Sequence, residues 1–405
     1  MIKLLVKTTF AATVISLASA GSAQSDMPPI KLAPPPTGIY HAAFPDFGPE
    51  ESIVTKQRIR RFSDKLNGRK IVWGYFSDNW FRGIRFPKNK VETLLEEGVV
   101  PFIRLMSRSN WKEGCADKKY RMENILSGKF DDQFRTYART AGEVRGPVMI
   151  EFGTEVNGNW FPWSGVCNGG STSTAYGSPT LADGPERFRD AYRHIIDIFR
   201  AEDVHNVTWV FHVNGYGAPH NESWNAYSAY YPGDDYIDWI GVSVYAAQTP
   251  RELKSWNPRF RQVMDDVYPE LAAISSRKPI ALLEFGVVEH AGKPQWLRDA
   301  LTDLSSGRYP RIKAMSYWHS NWENGDGSRS RMRLDSSRAA LAAYRDALTQ
   351  SAFIEIPVFA RGPQLAGRHV GIPGFEQAQP DDPTEQASKD EPADEGTVLP
   401  AEWFE

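Results

Sequence analysis

Eight short runs rich in β-branched and aromatic residues recur along the chain, at 37–42, 70–76, 99–106, 147–153, 206–213, 236–245, 278–287 and 312–318, with longer amphipathic segments between them. The seventh, "KPIALLEFGV", is apolar almost throughout, as a parallel strand covered on both faces must be. Among the intervening segments, "GPERFRDAYRHIIDIFRAE" places Phe188, Tyr192, Ile195, Ile196 and Phe199 on one helical face, with Asp183 positioned to cap and Pro185 in the first turn. Similar helical patterns cover Glu51–Leu66, Asp131–Val144, Phe260–Ser275 and Ser337–Leu348. Eight strands with helical patterns between them over residues 37–350 predict an α/β protein: a single (β/α)8 barrel with enlarged loops on the face where the strands end. An open doubly wound sheet would normally carry a Gly-rich turn after its first strand, and "AFPDFGPEES" offers none.

What flanks the barrel bears on where it works. Residues 1–20 have Lys3 and Lys7, an apolar run and Ala18-Ser19-Ala20, the pattern of a cleavable export signal, and the apolar run is too short to span a bilayer comfortably. Residues 21–36 read as a linker and 351–375 as an extension, with no second domain and no internal repeat. From Glu376 to Glu405 there are ten acidic residues and one Lys, in a stretch too poor in apolar side chains to form a core, so a disordered acidic tail is expected. The net charge of −3 argues against nucleic acid as partner. Periplasmic or extracellular residence, no membrane association after signal removal and a monomeric state are expected. In such an oxidising compartment Cys115 and Cys167 read as a bridged pair rather than as two free thiols, and they are too few to bind a metal.

The active site of such a barrel lies at the C-terminal ends of its strands. There the sequence places Glu155, Asn157, Trp160 and Trp163 after the fourth strand, His212 and Asn214 where the fifth ends, Tyr245 at the end of the sixth, Glu284 on the seventh and Trp318 at the end of the eighth. Each Trp alone reads equally well as a core aromatic. Glu284 is harder to dismiss, since an acid inside an apolar strand is costly unless paired or functional. Two carboxylates facing each other across a cleft suit glycoside hydrolysis, one protonating the leaving oxygen and the other attacking. Aromatic faces suit the C–H side of sugar rings. Tyr245 could donate to Glu284 and keep it ionised for attack.

The segment "PVMIEFGTEVNGNWFPWSG" resembles the acid/base motif of glycoside hydrolase family 26, and "KPIALLEFGVV" resembles that family's nucleophile strand. The segments "ILSGKFDDQFRTYARTAGEVRGP" and "YYPGDDYIDWIGVSVY" extend the likeness over most of residues 38–350. The resemblance implies a retaining double displacement with Glu155 as acid/base, Glu284 as nucleophile and Tyr245 as its hydrogen-bond partner. It implies no metal or organic cofactor. In the family's mannanases a His typically precedes the acid/base and an Arg stands four residues before it; here these are Thr154 and Glu151. Thr154 therefore points to altered recognition of the cleaved sugar, leaving β-mannan, mixed-linkage β-glucan or a bacterial exopolysaccharide as substrates. Strand alternation would turn Glu151 the same way as Glu155, where Arg104 on the third strand is its expected partner in a charge-swapped structural pair. The family also places Cys115 and Cys167 in adjacent loops on the active-site face, where a disulfide would brace the cleft.

Two other function classes fit the barrel. A polysaccharide-binding or exopolysaccharide-assembly protein would have no need for both acids and Tyr245. A phosphosugar lyase or isomerase would place a phosphate site after the last two strands, where "FGVVEHAGKPQ" and "HSNWENGDGSRS" form no convincing nest.

Overall fold

The computed structural model describes residues 30–111 and 114–361. Eight parallel strands close into a barrel: β1 (Ile39–Phe44), β2 (Trp73–Asn79), β3 (Val100–Met106), β4 (Val148–Phe152), β5 (Val207–Asn214), β6 (Trp239–Tyr245), β7 (Ile280–Gly286) and β8 (Ile312–Trp318). Closure is made where β8 pairs with β1, from Tyr40 opposite Ala314 to Phe44 opposite Trp318. The outer ring comprises α1 (Lys56–Lys65), α2 (Lys88–Glu96), α3 (Asp131–Gly142), α4 (Asp183–Ala201), α5 (Tyr227–Tyr230), α6 (Phe260–Ile274), α7 (Lys293–Ser305) and α8 (Arg338–Leu348).

The helix α4 buries the face predicted for it, Phe188, Tyr192, Ile195, Ile196 and Phe199 included. Its cap differs: Ala182 takes the N-cap position, and Asp183 is buried in the first turn, accepting from Thr172 Oγ1 at 2.8 Å and the Ala175 N–H at 3.1 Å. The expected helix from Glu51 begins instead at Lys56, where Thr55 caps it by accepting from the Arg58 N–H. Residues 51–54 are thereby released into the loop after β1, and Glu51 adopts a left-handed φ of 54°.

The lower, N-terminal end of the barrel is filled by rings, with Trp73 edge-on to Phe102 and Trp239 at 5.9 and 6.5 Å. The segment expected to be a linker forms the strand Ile30–Ala33, antiparallel to Val358–Arg361 from the expected extension. This ribbon caps the lower end. The Leu32 N–H donates to Thr208 Oγ1 and the Leu32 carbonyl accepts from Trp239 Nε1, both at 2.9 Å. The expected export signal and acidic tail lie outside the described residues.

One irregularity sets up the site. Between β6 and β7 the register slips, so that Val242 faces Leu282 but Ser243 faces Glu284. The extra residue, Leu283, is a β-bulge, a device that re-aims the side chain beside it. Space for it comes from Gly241, whose missing Cβ would stand 2.2 Å from a Leu283 methyl.

Candidate active site

The upper layer of the barrel interior is polar. Tyr75 from β2, Arg104 from β3, Glu151 from β4, His212 from β5, Ser243 from β6 and Glu284 from β7 are all buried. Buried charges need partners, and each charge here has one. Glu151 accepts from Tyr75 Oη at 2.5 Å, from Thr154 Oγ1 and from His212 Nδ1 at 2.9 Å, while His212 Nε2 lies 2.8 Å from Ser243 Oγ. Burial pushes the Glu151 carboxyl up, but His212, Arg104 and the Thr154 hydroxyl outweigh it and leave it below the ordinary carboxylate value. For His212 burial opposes charge, and Glu151 reverses the balance and raises it. The two hold each other inside the barrel, His212 Nδ1 lying 2.9 Å from the Glu151 carboxylate.

Arg104 links this pair to the cleft. Its guanidinium lies 3.0 Å from Glu51, 3.2 Å from Glu284 and 3.5 Å from Glu151, and 5.1 Å from the ring centres of both Tyr75 and Trp318. The expected Arg104–Glu151 contact exists, and Arg104 is shared beyond it. One of its three carboxylate neighbours is Glu284, because Arg104 stands at the top of β3 where the barrel opens.

Glu155 and Glu284 line one open cleft of about 970 Å³, along with Arg104, Trp160, Phe161, Asn214, Tyr245 and Trp318. The strand β4 ends at Phe152, and the chain turns through Gly153 and Glu155, both left-handed at φ 74° and 51°. A side chain at Gly153 would meet Phe188 at 2.3 Å. For Glu155 that conformation is strained, as is common where function fixes a side chain. The turn also corrects the alternation argument: Glu151 lies in the barrel, whereas Glu155 stands half-buried at the cleft and accepts from Trp160 Nε1 at 2.9 Å.

Tyr245 donates to Glu284 Oε2 at 2.8 Å, and Glu284 Oε1 is buried without a hydrogen bond, Arg104 reaching it only as an ion pair. The ionisation expected from Tyr245 is not secured by it. Burial raises the Glu284 carboxyl to about 7; Arg104 and His212 pull it down, while Glu155 and Glu151 push it up.

Four residues expected to touch substrate do not reach the cleft. His212 is spent on Glu151 and Ser243. Thr154 is buried and bonded to Glu151 and Arg104. Asn157 clamps the β4 turn to β5, donating to the Asn214 carbonyl at 2.9 Å and accepting from its N–H at 2.7 Å. Trp163 donates to the Thr154 carbonyl and stacks at 4.4 Å beneath Phe161, which is the ring the cleft sees. The sequence argument missed Glu51, Tyr75, Phe161, Gln248 and Trp322. Glu51 sits in a segment with a helical pattern, Phe161 stands within the acid/base motif but beside two Trp that draw the eye first, and Tyr75, Gln248 and Trp322 carry no local motif.

Cys115 and Cys167 form a disulfide, joining the loops after β3 and β4. Beside it the Gly114 N–H donates to the Trp160 carbonyl at 2.7 Å, so the bridge stands next to the residue that holds Glu155. Among the described residues no helix is long and apolar enough to cross a membrane.

Residues 117–276 match the model of glycosyl hydrolase family 26. Endoglucanase H of Acetivibrio thermocellus is 29% identical over 313 residues, covering 77% of this chain and 30% of that protein. A β-1,3-xylanase of a Vibrio species is 30% identical over 129 residues, 31% of this chain and 23% of the xylanase. The chain thus spans less than a third of the length of these curated relatives. Among solved structures, a β-mannanase from Bacteroides ovatus superposes with a TM-score of 0.53 at 15% identity, covering 78% of this chain and 90% of that one. An endo-β-1,4-mannanase double mutant from Cellulomonas fimi gives 0.54 at 17% identity, covering 78% and 72%. At such identities these structures speak for the fold alone.

Proposed function

We propose that this chain, which belongs to glycoside hydrolase family 26, cleaves a β-linked polysaccharide internally and with retention at the anomeric carbon. The observation that carries the reading is the Glu284 carboxyl, on a residue that lines the cleft: Oε2 is held by Tyr245, while Oε1 is buried and free of hydrogen bonds. In the first step Glu284 Oε1 attacks the anomeric carbon, and Glu155 gives its proton to the departing glycosidic oxygen. In the second, Glu155 takes a proton from water, the hydroxide attacks the same carbon, and Glu284 leaves as carboxylate. Arg104, 3.2 Å from Glu284 Oε1, balances the carboxylate before the first step and as it is released in the second. Of β-mannan, mixed-linkage β-glucan and a bacterial exopolysaccharide, we favour a β-glucan. Thr154 is withdrawn from the cleft, and a relative spanning much of this chain is named an endoglucanase. The leader-like N-terminus and the disulfide support work in the periplasm or outside the cell.

The test is hydrolysis of β-mannan, mixed-linkage glucan, cellulose, β-1,3-xylan and native exopolysaccharide, with Glu155→Ala and Glu284→Ala as controls. Proton NMR of the first product should show the β-anomer. Initial release of the α-anomer, or turnover persisting in both variants, would defeat the mechanism.

A further inference from the structure

The reacting cleft opens sideways into a second chamber of about 620 Å³. The two share Asn214, Tyr245 and Gln248. Its far wall is aromatic: Tyr216 is flanked edge-on by His220 at 5.2 Å and by Trp256 at 5.5 Å. Trp256 is 45% exposed, so the fold gains little from its indole. The chamber is of ordinary ligand-pocket size.

Its position says what it could hold, on the premise that Glu284 is the nucleophile. Tyr245 stands at the junction and bonds Glu284, so the sugar at the junction is the one attached to the nucleophile during reaction. The main cleft carries aromatic rings on opposite sides of the barrel mouth, Trp160 and Phe161 after β4 and Trp318 and Trp322 at and after the end of β8, so a glycan laid across it would leave that sugar past one pair and past the other. A linear glycan leaves a residue by only two bonds. A third exit at the reacting sugar serves a third bond.

We propose that this side chamber is a subsite for a branch: a neutral sugar substituent on the backbone residue held at Glu284, stacked on Trp256 and Tyr216. The lining, which has Glu252 and Asp266 against one His, disfavours an acidic substituent.

Matched probes test this: galactomannan against the same polymer stripped with α-galactosidase, and xyloglucan oligosaccharides against cello-oligosaccharides. Trp256→Ala should lower kcat/KM on whichever substituted member is cleaved about tenfold, equivalent to ~1.4 kcal/mol, and change the plain member less than twofold. Equal losses on both members would make the chamber a main-chain subsite and overturn the proposal, as would no loss on either. Calorimetric binding in Glu284→Gln, with and without Trp256→Ala, keeps the question separate from hydrolysis. Preference for a substituted oligosaccharide that Trp256→Ala abolishes supports the branch subsite even if none of the probes is cleaved. Equal affinity for both members in the Glu284→Gln background overturns it while leaving the hydrolase mechanism standing.

Discussion

Replacing Tyr245 by Phe removes one hydroxyl and leaves the ring in place. That hydroxyl donates to Glu284 Oε2 at 2.8 Å. A hydrogen bond to a charged group contributes about 1.5–3 kcal/mol, so its loss should raise the Glu284 pKa by about 1–2, from the value near 7 set mainly by burial. The sign is fixed by the donor: it favours the ionised acid, and without it a higher pH is needed for attack. In kcat/KM profiles from pH 4.5 to 9, the acidic limb of Tyr245→Phe should move upward by that amount. The loss should be about 10- to 100-fold below pH 6 and shrink towards pH 9. An unmoved limb with a uniform loss at every pH would refute the reasoning, because it would show Tyr245 acting on substrate rather than on Glu284.

The same buried carboxyl opposes stability. Its folded pKa lies above the usual 4.5, so its contribution is fully present below pH 4.5 and is lost as pH rises through about 7. Glu284→Gln should therefore match the parent's melting temperature near pH 4.5 and exceed it at pH 8, by roughly 1–3 kcal/mol in denaturant titrations. Glu151→Gln should act the other way, costing about 3–5 kcal/mol on the same assay by leaving His212 unpaired in the barrel. Cys115→Ser with Cys167→Ser, which opens a loop with a sequence separation of 52, should cost up to about 4 kcal/mol in thermal unfolding. It should also raise KM, because Trp160 loses its brace.

Barrel architecture was legible because its signal is repeated: each buried parallel strand must be apolar on both faces, and a helix follows almost every time. Boundaries drifted at β1 and β2, where Gly38 and the stretch before Trp73 carry apolar neighbours that continue the pattern beyond the ladder. Both proposed reaction carboxylates were placed in the cleft from sequence because each stands out from its surroundings. What alternation could not deliver was depth. The turn at Gly153 separates Glu151 from Glu155, and the bulge at Leu283 aims Glu284; both depend on close approaches to Phe188 and Gly241 that no local pattern announces. Depth also decided the aromatics, since Trp163 supports Phe161 instead of meeting the cleft.

The ribbon formed by Ile30–Ala33 and Val358–Arg361 has a consequence for how the molecule can be held. It brings both limbs of the chain side by side beneath the barrel, against the starts of β5 and β6, while the cleft opens at the opposite pole. A tether, a tag or a fused module joined at either limb would therefore approach from below. Fastened there to a wall, a bead or a larger assembly, the barrel would turn its open mouth outward, and a long polymer could slide across it without meeting the anchor.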